Sequence, residues 1–169
     1  MSRDAFLVPV TSPEFNRTVT SPVNLTELPM KQSTLERVDM PEKAQIWGVK
    51  NSNLNKKFYD KMTNGDYLFF YHDDHYRYFG RAGYKFVNNI ISKEYWGDIS
   101  ADMLYTITDF NNIDVSREAL NKACGYKTNY QPQSIRRMSN KAYQHLRREY
   151  GSIDEFVSKP RKNQKSKDK

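Results

Sequence analysis

The sequence has 169 residues, a length typical of one domain with its own hydrophobic core, and a formal net charge of +7. Cys124 is the only cysteine, which excludes an intrachain disulfide and any cysteine-rich zinc site. No window approaches the roughly 18–20 apolar residues of a membrane span, and the apolar stretch near the start is too short for a secretory signal. We therefore expect a soluble, cytoplasmic protein with no membrane partner.

The positive charge is concentrated at the end of the chain. Residues 158–169 contain six basic side chains and one acidic side chain, a net of +5 that leaves only +2 for residues 1–157. A run of Lys, Ser, Asn and Gln cannot bury enough apolar surface to offset the entropy lost on ordering. We predict a folded domain over residues 1–157 and a disordered basic tail or linker over residues 158–169.

Hydrophobic patterns and turn signals predict strands mixed with short helices. In chain order, the first elements are a strand at 5–10, a helix beginning at Ser12, a proline-rich loop at 21–43, a strand at 44–52 and a helix at 53–62. Strands then follow at 66–71, 76–87 and 103–115, with a helix capped by Ser116 and a later helix ending at Gly151. Because there is no strict βαβ rhythm, this order indicates an α+β fold rather than a doubly wound sheet.

The segment HDDH, residues 72–75, raises the question of a metal site. It lies between two predicted strands, where Asp is common because its side chain bonds local backbone and tolerates turn dihedrals. Four consecutive turn residues point in divergent directions, and the third histidine, His145, is on a distant helix, so three or four ligands would not converge. We predict a hairpin turn and no metal.

Catalytic signatures are absent from the sequence. Cys124 sits beside Gly125 near a predicted helix end, and nothing specifies a base or an oxyanion hole for it, so a small buried side chain is the better interpretation. There is no phosphate-binding glycine motif and no nuclease-like cluster of carboxylates and lysine. The sequence therefore predicts a protein that is not an enzyme and needs no cofactor.

Three motifs occur in an informative order: W-G-V-x-N from Trp47, then NKKFYDKMTNGDYLFFYHD, then YRYFGRAGY. This order resembles the shared core of the PUA-like superfamily, in particular its EVE and YTH branches, and the later segment EYWGDISADMLYTITDF also resembles the YTH pattern. The resemblance spans roughly residues 5–150. It implies a small, strongly curved β-barrel of about five to six strands flanked by short helices.

A PUA-like domain of this size followed by a basic linker is similar to the N-terminal specificity domain of McrB subunits from McrBC-type, modification-dependent restriction systems. In that family the domain precedes an AAA+ GTPase motor that works with a nuclease subunit. The resemblance therefore implies methylated double-stranded DNA as the ligand, with the motor and the nuclease as partners in the full-length system.

The resemblance also implies a pocket for a modified base flipped out of the helix. In the YTH branch one wall of the aromatic cage is the Trp of the first motif, which falls on Trp47. The second wall falls on Tyr105, where the family has Trp. Polar residues after the first strand, which read the base edge in YTH domains, fall on Ser12 and Asn16.

Two further residues complete the predicted base-binding set. Asn51 is a second candidate for reading the base edge, and Trp96 is a candidate lid or wedge. Structural interpretations stay open beside these functional ones. Trp47 and Tyr105 also fit core positions, Asn16 fits a residue that bonds its own helix, and Trp96 fits a half-exposed loop anchor.

A basic stretch, SIRRMSNKAYQHLRR, contains no acidic residue, and Glu149 follows it directly. Its cationic side chains are candidates for phosphate contacts, or alternatively form an ordinary solvated face. The candidate phosphate-binding residues are Arg136, Arg137, Lys141, Arg147 and Arg148.

The sequence thus favours a non-catalytic DNA reader of a methylated base, with 6-methyladenine favoured over 5-methylcytosine because the pattern is YTH-like. Two alternatives remain. One is an RNA-binding PUA-like module, since most of the superfamily handles RNA. The other is a protein-interaction domain whose aromatic residues all belong to the core.

Overall fold

A computed structural model describes residues 3–24 and 43–158. The strands are β1 (Ala5–Pro9), β2 (Val23–Asn24), β3 (Lys43–Val49), β4 (Tyr67–His72), β5 (His75–Val87), β6 (Met103–Ser116) and β7 (Arg136–Arg137). The α-helices are α1 (Ser12–Phe15), α2 (Asn53–Lys61), α3 (Asn89–Trp96), α4 (Arg117–Cys124), α5 (Asn140–Tyr150) and α6 (Ile153–Ser158). A π-helical turn over Asn16–Thr20 extends α1.

The strands form one mixed sheet in the order β2-β3-β6-β5-β4-β1-β7. β1 runs parallel to β4, with Ala5 opposite Tyr67, and the other pairs are antiparallel. Five strands have at least five residues, as the sequence predicts, whereas the two-residue strands β2 and β7 at the sheet edges escaped prediction because they have no periodicity. The predicted α+β class is confirmed.

The HDDH segment forms the predicted hairpin. β4 ends at His72 and β5 begins at His75, directly opposite it. Asp73 and Asp74 between them have φ of 53° and 65°, the left-handed values that a two-residue hairpin turn requires. The His75 Nδ1 atom lies 2.9 Å from Asp114 Oδ1 on the neighbouring strand, so this pair holds the base of the turn.

Helix boundaries follow local capping chemistry. Ser116 caps α4 by accepting a hydrogen bond from the Ala119 N–H, and Gly125 follows the helix with φ of 74°. α5 ends before Gly151, as predicted. The cap of α2 is Ser52, whose hydroxyl accepts from the Asn55 N–H, one residue before the predicted start at residue 53.

Both faces of the sheet are covered. On one face, Leu7, Phe69 and other strand residues pack against helices α4, α5 and α6 in a first core. On the opposite face, Phe6, Leu68, Ala82, Trp47 and residues of β6 meet in a second core, the inner cluster. All five long strands contribute to this one cluster, although a flat sheet would hold β1 and β3 roughly 19 Å apart. The sheet is therefore strongly curved around the inner cluster.

Two sequence predictions fall largely outside the described residues. Most of the predicted proline-rich loop is residues 25–42, which are outside the described residues. The predicted basic tail, residues 158–169, is also outside them except for Ser158, the last residue of α6. Among the helices that the structure describes, none is both long and apolar enough to traverse a lipid bilayer.

Candidate functional site

A cleft opens where the ends of β1 and β3 approach each other above the inner cluster. Its volume is about 480 Å³. The wall residues come from the end of β1 and the turn after it, from the end of β3, and from α1, α2, the end of α3 and the segment before β7. They are Val8, Pro9, Val10, Thr11, Glu14, Trp47, Gly48, Val49, Lys50, Asn55, Trp96, Asp98, Ala101, Gln133, Ser134 and Ile135.

Two tryptophans form the aromatic part of this cleft. The Trp47 and Trp96 ring centroids are 5.4 Å apart and their planes meet at 71°. Trp47 is only 9% exposed and also packs on Phe15, at 5.2 Å and 72°. Trp96 is half-buried, and its indole Nε1 donates to the backbone oxygen of Glu14 at 3.1 Å. The two rings therefore make a rigid corner rather than a parallel sandwich.

Gly48 allows this corner to form. A Cβ atom at that position would lie 2.8 Å from Trp96 Cζ3 and 2.8 Å from the backbone oxygen of Ala101. Contacts that short do not occur in real side chains, so only glycine lets the Trp96 ring approach β3 this closely. The sequence motif W-G places the small residue directly beside Trp47 for this packing reason.

The rim of the cleft is polar and includes both signs of charge. Asp98 accepts hydrogen bonds from the Ser100 hydroxyl and N–H, which hold the pKa of its carboxyl below the usual value, and Lys50 lies 3.7 Å away. Asn55, on the first turn of α2, lines the same wall. Amide, ammonium and carboxylate groups together can donate to and accept from a planar polar ligand.

Glu14 is the second carboxylate of the cleft. The Thr11 hydroxyl and the Glu14 backbone N–H lower its pKa from the ordinary glutamate value, with a further contribution from the charge of Arg17. The carboxylate is therefore ionised at neutral pH. Its Oε2 atom is shielded from solvent and has no hydrogen-bond partner among the residues that the structure describes.

Tyr105 does not line the cleft, so its predicted role as a cage wall is wrong. The residue pairs with Trp47 across β3 and β6, on the same face of the sheet, but its side chain is fully buried in the inner cluster. Burial raises the pKa of its hydroxyl well above the usual value, and that hydroxyl has no partner among the described residues. The second ring of the cleft is instead Trp96, which the sequence singled out as a lid or wedge.

Of the polar residues proposed to read the base edge, Asn16 and Asn51 are near the cleft without lining it. Ser12 lies where α1 begins, after the wall residue Thr11. Asn16 is exposed and its Oδ1 accepts from the Thr20 hydroxyl at 3.0 Å. Asn51 is exposed, and its backbone N–H donates to the Ser100 oxygen at 2.7 Å.

Residues close to these predictions do line the cleft. Thr11 and Glu14 are close in sequence to Ser12 and Asn16, and they line the cleft. Lys50 and Asn55, on either side of Asn51 in the sequence, line it as well. The resemblance pointed to the segments after β1 and after β3, and both segments contribute residues to the wall of the cleft. After β1, the side chains that face the cleft are decided by the orientation of α1, a helix of four residues that a π-helical turn continues. Hydrophobic periodicity in the sequence does not predict the orientation of so short a helix.

Arg136 and Arg137 adjoin the cleft and have partners. Arg136 follows the wall residues Ser134 and Ile135, donates to both, and its guanidinium lies 5.6 Å from the centroid of the Phe58 ring. Arg137 forms an ion pair with Asp4 at 2.9 Å. Its Nη2 atom also donates to Oδ1 of Asn140, the first residue of α5. Arg136 is thus the member of the pair adjacent to the cleft wall.

The remaining predicted phosphate-binding residues lie on α5. Lys141, Arg147 and Arg148 are exposed on this helix, and none of them lines the cleft. α5 packs through Ala142 and Leu146 onto the first core, on the face of the sheet opposite the inner cluster. The structure therefore does not bring these three cations together with the aromatic corner.

No group of three or more His, Cys, Asp or Glu side chains suited to a metal ion occurs in the described part of the chain. Cys124 is buried, and burial raises the pKa of its thiol to about 12. The thiol is therefore protonated at neutral pH and packs beside Met138, with its Sγ atom 3.9 Å from the Met138 Sδ atom.

Comparisons with known proteins agree with this architecture. No protein-family model matches the sequence, and no curated protein matches it. Among solved structures, the chain is similar to the N-terminal domain of Thermococcus gammatolerans McrB bound to m5C DNA, with 15% identity, a TM-score of 0.64, and coverage of 85% of this chain and 95% of that one.

A second similar structure is the human THYN1 protein in complex with 5-methylcytosine-containing DNA. It has 13% identity, a TM-score of 0.45, and coverage of 93% of this chain and 99% of that one.

The similarity to the McrB domain extends over nearly the whole of that domain. The chain therefore has a PUA-like fold of the kind found in the N-terminal domain of McrB.

Proposed function

We propose that this chain is a non-catalytic, DNA-binding reader that takes a methylated base, flipped out of the duplex, into the cleft. The observation on which this rests is the corner formed by Trp47 and Trp96 in a cleft of about 480 Å³, within the range of roughly 300–1,000 Å³ typical of small-ligand sites. The structurally similar McrB domain is described as bound to m5C DNA, which supports the same ligand class here.

The energetics of a flipped base fit this corner. Unstacking a base from the duplex costs a few kcal/mol, and stacking on an aromatic side chain returns about 1–3 kcal/mol. With planes at 71°, a base stacked on one indole directs its edge toward the face of the other. A methyl group on that edge would be buried against the ring.

The selectivity for methylation is expected to be modest. Burying one methyl group contributes about 0.8 kcal/mol, or roughly fourfold in affinity. Larger discrimination requires that the unmodified base leave a dry gap against the second indole, since water cannot form its hydrogen bonds there. We therefore expect roughly fourfold to thirtyfold preference for methylated DNA.

Two modified bases are candidates. 5-Methylcytosine is supported by the DNA in the McrB structure. 6-Methyladenine is supported by the YTH-like order of the sequence motifs. In either case the domain would direct a modification-dependent restriction complex, in which an AAA+ GTPase motor and a nuclease subunit act on the DNA.

A titration tests the proposal. Fluorescence polarisation of labelled duplexes that differ only at one base, with 5-methylcytosine, cytosine, 6-methyladenine or adenine, should give tighter binding to one methylated duplex than to its plain counterpart. Binding should weaken steeply as salt is raised, because cations on the protein replace counterions on the phosphates. Equal affinity for every duplex would reject the proposal, and tighter binding to a matched RNA would favour an RNA-binding module instead.

A further inference from the structure

One pair of opposite charges lies on the wall of the cleft. Of the described residues that line the cleft, Glu14, Lys50 and Asp98 are charged, so Lys50 is the one cation among them. Its Nζ atom lies 3.7 Å from the Asp98 Oδ2 atom, and the two side chains are 73% and 36% exposed. Both partners are therefore accessible to a group that approaches the cleft.

Asp98 is held in place without Lys50. Its Oδ1 atom accepts hydrogen bonds from the Ser100 N–H at 3.0 Å and from the Ser100 hydroxyl at 2.5 Å. These two bonds are the main causes of the lowered pKa of the Asp98 carboxyl, and the charge of Lys50 contributes less. The carboxylate would therefore stay ionised and keep its orientation if Lys50 moved away.

Lys50, in turn, is only weakly tied to Asp98. At 3.7 Å the two atoms are too far apart for a strong hydrogen bond, and an exposed ion pair stabilises little because water and dissolved ions screen it. The lysine side chain has a flexible four-carbon stem, so its ammonium group can turn to another anion nearby. Releasing Lys50 from Asp98 therefore costs little free energy.

A flipped base brings such an anion to the cleft. The base stays attached to its sugar, and one phosphate group on each side of that sugar continues the DNA strand. When the base enters the cleft, both phosphates therefore stay close to its mouth. The cation of the wall that can pair with them there is the exposed Lys50.

We propose that Lys50 exchanges its partner when DNA binds: it leaves Asp98 and pairs with a phosphate next to the flipped base. This inference rests on the proposed function, because the phosphate comes to the wall only when its base enters the cleft. Asp98 then remains near the same phosphate as a negative charge that Lys50 no longer neutralises. Lys50 therefore stabilises the complex, and Asp98 weakens it.

This exchange favours DNA with a flipped base over DNA in which every base stays stacked. On a fully stacked duplex no phosphate comes to the wall of the cleft, and Lys50 remains neutralised by Asp98. The affinity gained through Lys50 is then confined to the complex with a flipped base. Cations outside the cleft differ in this respect, because they attract any duplex.

The experiment measures binding to three duplexes by fluorescence polarisation. The first contains 5-methylcytosine or 6-methyladenine, whichever the wild type binds more tightly, and the second is its plain counterpart. The third, the neutral-linkage duplex, is the methylated duplex with uncharged methylphosphonates in place of the two phosphates that flank the methylated base. Comparing the first with the third isolates the contribution of these two phosphate charges.

The two variants of the ion pair should act in opposite directions on the methylated duplex. Lys50→Ala should weaken binding by roughly threefold to tenfold and lower the salt slope by about 1, the effect of one phosphate contact. Asp98→Asn keeps an oxygen that can accept from Ser100 but removes the charge, so it should strengthen binding by roughly twofold to fivefold. On the neutral-linkage duplex both effects should nearly disappear.

Lys56 and Asp60 provide the matched control. They form a second exposed pair of the same residue types, 2.9 Å apart on α2, with side chains 58% and 56% exposed, and neither lines the cleft. Lys56→Ala and Asp60→Asn should change the affinity for all three duplexes by the same factor, because their charges are not specific to the flanking phosphates. Thermal unfolding of each variant confirms that it is folded.

The outcomes distinguish this inference from the proposed function. If wild type prefers the methylated duplex but Lys50→Ala has the same effect with charged and neutral linkages, Lys50 does not bind the flanking phosphate and the reader proposal stands. If Asp98→Asn weakens binding to the methylated duplex, its carboxylate supports the complex and the exchange of partners is wrong. If wild type shows no preference for any methylated duplex, the reader proposal fails and this inference fails with it.

Discussion

At the scale of single residues, the two tryptophans of the cleft contribute unequally to the stability of the fold. Trp47 is almost fully buried and packs on Phe15 below the cleft, so most of its surface stabilises the inner cluster. Trp96 is half-buried and is held by one hydrogen bond to Glu14 and by close packing on Gly48. Loss of each ring should therefore affect folding and binding in different proportions.

The Trp96→Ala variant should fold and bind poorly. We expect a loss of about 1–2 kcal/mol in the free energy of unfolding, since the ring is only half-buried and already contacts water in part. Affinity for the preferred methylated duplex should fall by roughly fivefold to a hundredfold, the contribution of one stacking partner. Polarisation titration and chemical denaturation measure the two effects. Wild-type affinity in a folded Trp96→Ala variant would remove this ring from the site.

Trp47→Ala is the matched comparison. Truncating a buried tryptophan should cost about 3–5 kcal/mol of stability, enough to unfold a marginal domain. A reduced affinity in this variant therefore has meaning only where denaturation shows a folded population. If Trp47→Ala were as stable as Trp96→Ala, the inner cluster would not depend on this ring as its burial indicates.

Tyr105 offers a test of the corrected assignment. Because its buried hydroxyl has no partner among the described residues, Tyr105→Phe should leave stability unchanged or raise it by up to about 1 kcal/mol, with no change in affinity for DNA. Tyr59→Phe is the control, since the Tyr59 hydroxyl donates to the Leu104 oxygen at 2.5 Å and its removal should cost about 1 kcal/mol. Weaker methyl-specific binding by Tyr105→Phe would restore Tyr105 to the site.

At the scale of elements, the sequence was informative wherever local chemistry sets the structure. The Asp73-Asp74 turn and the Gly125 helix end each need left-handed backbone, which only a few residue types adopt readily. α2 begins at residue 53, as predicted, because Ser52 directly before it is a good N-cap. The short strands β2 and β7 were missed because pairing alone defines a two-residue strand.

The N-terminal turn of α2 adds a prediction about flipping. Leu54 is 49% exposed and precedes Asn55, which lines the cleft. An exposed apolar side chain next to a base-binding cleft can fill the gap that a flipped base leaves in the stack. Leu54→Ala should weaken binding by roughly tenfold while changing stability by less than about 0.5 kcal/mol.

A fluorescent base analogue beside the target position reports directly whether the neighbouring base has left the stack. 2-Aminopurine next to the methylated base should brighten when wild type unstacks the site, and should brighten less with Leu54→Ala. Ile90→Ala is the matched control, because Ile90 is 48% exposed on α3 and, unlike Leu54, has no chain neighbour that lines the cleft. Equal fluorescence with both variants would show that Leu54 does not enter the stack.

At the scale of the whole molecule, the site depends on how the sheet curves. Trp47 and Trp96 are far apart in sequence but share one corner, because β3 and the end of α3 both lie where the curved sheet brings β1 toward β3. Motif order identified the fold and Trp47, yet nothing local distinguishes a ring in the cleft from one in the core. For that reason Tyr105, predicted as a wall of the cleft, lies in the inner cluster, and Trp96 is the second ring that lines the cleft.

The same curvature decides which basic residues can face DNA that enters the cleft. Lys57 and Arg136 both approach the Phe58 ring, at 5.9 Å and 5.6 Å from its centroid, beside the walls formed by α2 and residues 133–135. Lys141 and Arg147 are on α5, across the sheet. We expect the first pair, and not the second, to bind phosphates of a duplex whose base occupies the cleft.

Salt dependence measures this difference with matched charge. Each variant, Lys57→Ala/Arg136→Ala and Lys141→Ala/Arg147→Ala, removes one lysine and one arginine. For wild type the logarithm of affinity should fall linearly with the logarithm of salt concentration, and each cation removed from a phosphate should reduce the slope by about 1. The first variant should lower the slope by about 2 and the second by much less, because charges remote from the DNA act only at long range. The reverse order, in variants with unchanged melting temperatures, would place the DNA backbone along α5 and require the duplex to approach from the opposite face of the sheet.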